Sequence, residues 1–136
     1  MSLEAIREAL QSRLAALTPE IGTAWRNRAF APTPGEPWQS VDMLPLDPDD
    51  AEIGAAGHWE RGIMQVTLRY PSNAGPGALD ARAWLLLRHF RRGLTFTYGG
   101  VTVHVTRAPV MGPEFTAMDR FCRPISIHWH ARVSTA

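Results

Sequence analysis

The chain has 136 residues, 45% apolar content, one cysteine and a formal charge of +1. That length fits a single domain, residues 1–136, able to bury roughly two-thirds of its unfolded surface without help from disulfides or metals. The near-neutral charge gives no reason to expect general nucleic-acid or membrane-surface binding, and no window reaches the roughly eighteen apolar residues that a membrane span needs.

Cys122 stands alone, so an internal disulfide is excluded and a reducing compartment fits. All 14 Lys-plus-Arg positions are arginine. Arginine favours bidentate, partly desolvated pairs, although codon bias in a GC-rich genome accounts for the choice more simply. Met1-Ser2-Leu3-Glu4 lacks a basic region leading into an apolar run, so no secretory signal is expected.

The first predicted element is an amphipathic helix. Ser2 can cap it, Glu4 complements its dipole, and Leu3, Ile6, Leu10, Leu14 and Leu17 form its stripe before Thr18-Pro19 stops it. Ile21 to Arg26 is a short strand candidate, and Asn27 to Pro37, rich in proline, is an irregular loop. Trp38 to Leu44 is a second strand, with Trp38, Ser40, Asp42 and Leu44 on one side and Gln39, Val41 and Met43 on the other. Pro45 to His58 has no clear period and carries Asp47, Asp49, Asp50 and Glu52. A segment of that length is commonly a functional or disordered loop.

From Met64 to Tyr70 apolar residues alternate, the mark of a half-buried strand that begins as early as Trp59. Pro71 ends it, and Asn73, Gly75, Pro76 and Gly77 supply a turn. Leu79, Ala83, Leu86, Leu87 and Phe90 then follow helical spacing, with Gly93 placed for a left-handed cap. Leu94 to Tyr98 and Val101 to Arg107 flank Gly99-Gly100, a two-residue hairpin signal. Ala108 to Asp119 reads as another loop. A last strand over about Phe121 to Val133 turns Ile125, Ile127, Trp129, Ala131 and Val133 inward and Ser126, His128, His130 and Arg132 outward. The fold class is therefore α+β, a mainly antiparallel mixed sheet of about five to six strands with two helices packed on one face.

The chemistry in this sequence is sparse. Gly75-Pro76-Gly77 lacks the Lys and Ser/Thr of a phosphate-binding loop. Cys122 has no placed histidine, and the carboxylates of 47–52 lack calcium-loop spacing. His128 and His130 could share a metal only if a third ligand such as His104 came from elsewhere, so no metal, cofactor or catalytic residue is assigned. The better candidates are surface features: the acidic run Asp47, Asp49 and Asp50, the basic residues Arg91 and Arg92, and the large aromatics Trp38 and Trp59. Opposite charges thus sit in separate segments of the chain.

Several local patterns mark the chain along its length. They are Ala24-Trp25-Arg26-Asn27, Phe30-Ala31-Pro32, Pro37-Trp38, Leu44-Pro45, Gly62-Ile63-Met64-Gln65-Val66, Gly75-Pro76-Gly77 and Ile127-His128-Trp129. Across nearly the whole chain this set resembles the small tail terminator proteins of long-tailed bacteriophages and prophages. The resemblance implies a non-enzymatic α+β subunit without a cofactor. Six copies would form a ring on the end of the tail tube, stop its polymerisation and offer a surface to the head connector. Its partners would be copies of itself, the tail tube protein and a head connector or completion protein, with no sequence-specific nucleic-acid recognition and no membrane. It would act in the host bacterial cytoplasm during assembly and in the virion tail. The alternatives are another head–tail joining protein of the head-completion or stopper type, a small metal-binding enzyme using His128 and His130, and a generic ligand-binding α+β domain.

Overall fold

The computed structural model describes residues 3–25, 28–46 and 57–134, with the side chains of 3, 57, 58, 133 and 134 left aside. The expected cap at Ser2 and the acidic run of Asp47, Asp49, Asp50 and Glu52 lie outside the described residues. Helix α1 (Leu3–Ala15) buries Ile6, Leu10 and Leu14, and Leu17 just beyond it is buried too. These are spaced to fall on one face, so the stripe alone fixes which side meets the sheet.

The strands are β1 (Gly22–Ala24), β2 (Trp38–Pro45), β3 (Gly57–Pro71), β4 (Thr95–Tyr98), β5 (Val101–Val105), β6 (Val110–Met111), β7 (Phe115–Ala117) and β8 (Arg120–Ser134). Helix α2 (Gly77–His89) separates β3 from β4. The main path of the sheet runs β1-β2-β3-β8-β5-β4, with β6 and β7 both paired to β8. All pairings are antiparallel except β1 with β2, which is parallel and makes the sheet mixed.

The centre of the sheet is the long pairing of β3 with β8. Met64 faces Ile127 and Val66 faces Ile125, and all four are fully buried. Val41 of β2 joins beside Val66, and Val103 of β5 beside Ala131. The registers put these side chains on one face, where α1 meets β4 and β5 and α2 meets β3 and β8. Two-residue alternation supplies the buried row, and the helices cover it. Gly62 lies opposite Trp129, and a Cβ there would come within 2.8 Å of the indole and 2.9 Å of the Leu44 carbonyl. The glycine is what lets the indole approach β3 this closely.

Three expectations are corrected. Ala108 to Asp119 is not simply a loop, since it supplies β6 and β7. β5 covers β8 only at residues 129–131, which leaves the backbone of the first half of β8 in need of partners on that side. Val110–Met111 and Phe115–Ala117 provide them, and between the two the Gly112 N–H donates to the Pro124 carbonyl at 2.8 Å. Gly93 has φ of 84° as expected for a left-handed residue, but it does not cap the helix. α2 ends at His89 with Phe90 as its C-cap, and the Gly93 N–H donates to the Val105 carbonyl, so the glycine turns the chain into the hairpin. Finally, β3 begins at Gly57, earlier than Trp59, because β8 continues to Ser134 and pairs with it.

Candidate functional site

The surface candidates fall in three regions. The first is the corner where both helices end. The Arg13 guanidinium donates to the His89 carbonyl at 3.1 Å, and the His89 imidazole Nε2 bonds back to the Arg13 carbonyl. Arginine and histidine in the last turns suit the negative ends of the two helix dipoles. Arg91 and Arg92 follow directly and are exposed. The corner is thus cationic, and Arg13 also lies 6.0 Å from the ring of Phe96 on β4. Sequence reasoning assigned Arg91 and Arg92; the convergence of Arg13 on the same corner required the fold.

The second region surrounds Trp38. Its ring stacks on Phe30 with centroids 5.2 Å apart, and the Arg69 guanidinium lies 5.1 Å from the centroid of the same ring. Arg69 also reaches Ser40 and the sulfur of buried Cys122. The thiol is therefore held as a structural residue under an arginine. Beside them a cleft of about 760 Å³ is bordered by Pro32, Trp38, Arg69 and the turn at Met118 and Asp119. Met118 and Asp119 have φ of 50° and 61°, left-handed values that cost a non-glycine residue on the order of 1 kcal/mol or more. Met118 is 96% exposed at this tight turn. An apolar side chain in full solvent on a strained turn is a contact candidate that alternation and helical spacing do not reveal.

The third region is the face of the sheet away from the helices. Trp59 meets His130 at 4.5 Å and His104 at 5.7 Å between ring centroids, and the two imidazoles are 5.2 Å apart. His128 and His130 do share this face, as the alternation required. Among the described residues, however, no group of three histidine, cysteine or acidic side chains is placed to hold a metal. The Trp59 indole packs beside both His104 and His130. Trp38 and Trp59, proposed from sequence as partner aromatics, thus each pack against their own chain while staying partly exposed. Trp84, on the outer side of α2, was not singled out from sequence and is 58% exposed.

Arg82 of α2 was also missed. It falls on the apolar stripe and is 4% exposed, with its guanidinium donating to the Pro19 carbonyl. Burial lowers its pKa, and the nearby Tyr70 partly offsets this. The arginine ties the segment after α1 to α2, so it is a structural brace.

Two histidines make stability depend on pH. Burial holds the pKa of His89 below its ordinary value, outweighing its bond to the Arg13 carbonyl, and the charges of Arg13 and Arg82 push the same way. Burial likewise lowers His128, with Arg107 adding to it. The unfolded chain binds protons at these sites from about pH 6.5 downward, before the folded chain does. Their contribution is therefore present above about pH 6.5 and is lost as pH falls through the lower folded values. Thermal melts should show Tm dropping below about pH 6.5, and a His89→Gln, His128→Gln variant should flatten that slope. An unchanged slope in the double variant would assign the effect elsewhere.

The fold is an α+β domain with two helices on one side of a curled mixed sheet. The chain matches the phage tail terminator protein family over residues 5–129 and belongs to that family. A solved structure is similar to it at 26% identity, with a TM-score of 0.78 and 96% of each chain covered. Among curated proteins none matches. Family membership gives the chain a structural role in the phage tail.

Proposed function

We propose that this chain closes the growing tail tube: copies assemble into a six-membered ring on the last tube ring, stop polymerisation and present a surface to the head connector. The observation that carries this reading is the family match across residues 5–129, nearly the full described chain. The cationic corner with Arg91 and Arg92, the half-covered Trp38 and Trp59, and the exposed Met118 turn support it as contact surfaces. The acidic run Asp47, Asp49 and Asp50 belongs to the same proposal as the counterpart of the arginines in a head-to-tail ring. The assembly site is the host cytoplasm, where the tail is built, and the product is the virion tail.

Electron microscopy of particles made without this chain tests the reading. The expected result is overlong or irregular tails. Filled heads beside finished tails of normal length would instead assign the chain to head completion or to a stopper.

A further inference from the structure

A cleft of about 370 Å³ lies where the end of α1 and the segment after it meet β1, β2 and α2. Leu14, Leu17, Ile21 and Trp25 give it apolar walls. Arg82 of α2, Gln39 of β2 and Glu20 also line it. Small-molecule sites combine an apolar lining of this kind with a few fixed polar groups.

Two of the polar groups are buried and incompletely matched. Arg82 is 4% exposed and Gln39 2%. The Arg82 guanidinium donates to the Pro19 carbonyl, while its Nε finds no hydrogen-bond acceptor. Among the described residues no carboxylate pairs with it. Tyr70 offsets its burial only in part, and burial raises the pKa of that phenol, so it carries no negative charge at neutral pH. A desolvated cation without a counter-charge is costly, and a bound anion removes that cost. Gln39 is held from its amino end: its Nε2 donates to the Thr23 hydroxyl at 3.1 Å, which donates in turn to the Ile21 carbonyl at 3.1 Å. The Gln39 Oε1 is left as an acceptor without a donor. Glu20 adds an exposed carboxylate to the same cleft.

A cation, an acceptor, a carboxylate and apolar walls complement one kind of small molecule. A carboxylate answers Arg82 through charge-assisted hydrogen bonds. A cationic donor answers Gln39 and Glu20, and the walls take an aliphatic side chain. Phosphate is a poor match, because a dianion exceeds the single positive charge and is repelled by Glu20. We propose that this cleft binds a free α-amino acid with an aliphatic side chain, its carboxylate on Arg82 and its ammonium at Gln39 and Glu20. The site is additional to the tail-terminator reading and does not rest on it.

The test titrates L-leucine into the full chain, following the heat released and the NMR signals of the Leu14 and Leu17 methyls and the Trp25 indole. Saturable binding that shifts these signals is expected. N-acetyl-leucine lacks the ammonium and mimics a polypeptide C-terminus. Leucinamide lacks the carboxylate and mimics an N-terminus, and glycine lacks the side chain. Each should bind at least about tenfold more weakly than leucine. Arg82→Gln should also weaken leucine binding at least about tenfold. Glu20→Gln should weaken it about threefold, and because Glu20 is exposed this variant keeps the test decisive if Arg82→Gln misfolds. Four results would overturn the proposal: no saturable binding up to the solubility of leucine, signal shifts confined to other surfaces, a folded Glu20→Gln variant with unchanged affinity, or N-acetyl-leucine or leucinamide binding as tightly as leucine, which would give the cleft to a chain end.

Discussion

Leu86→Asp is expected to abolish cooperative folding. Leu86 is fully buried on α2, in the cluster that also holds Met64, Val66, Ile125 and Ile127. Removing a buried leucine costs about 2–5 kcal/mol, and burying an unpaired carboxylate costs several more. A domain of this kind has only about 5–15 kcal/mol of net stability to lose. Circular dichroism should show no thermal transition, or one shifted far down. Trp84→Asp on the outer side of the same helix is the control, because its ring is largely in solvent and its loss removes little packing. A normally folded Leu86→Asp variant would mean that α2 does not face the sheet as described.

Arg91→Glu with Arg92→Glu is expected to harm the proposed ring assembly far more than the monomer's melt. Both residues are exposed and lie beyond the end of α2. Exposed charges contribute at most about 1 kcal/mol to folding, so the monomer should tolerate the change. At an interface the same substitution replaces attraction by like-charge repulsion at the cationic corner, a penalty of several kcal/mol. Light scattering and electron microscopy report assembly, and a thermal melt reports folding. Parallel loss of both would show that the pair serves the fold and not the contact between copies.

The contrast between these two substitutions follows from what each position meets. Leu86 was assignable to the core from spacing, because one turn of helix repeats within the window that sequence displays. Arg91 and Arg92 could be assigned to the surface on composition, but nothing local showed that Arg13, 78 residues earlier for Arg91, would share their corner. Arg82 shows the opposite failure. It is buried, bonded to the Pro19 carbonyl, and borders a cleft that residues of α1 and β1 also line. The clustering of Trp59 with His130 and His104 likewise depends on long-range placement.

By itself the sequence determined the alternation of β3 and β8, the Gly99-Gly100 hairpin, the two helical stripes and the α+β class, because each is written in contacts between near neighbours along the chain. Tertiary structure decided the rest. The parallel pairing of β1 with β2, the short strands β6 and β7 and the burial of Arg82 all depend on which distant backbone groups find partners. A two- or three-residue strand has too little period of its own to announce itself. It forms because the long strand β8 has hydrogen-bonding groups that would otherwise go unmatched.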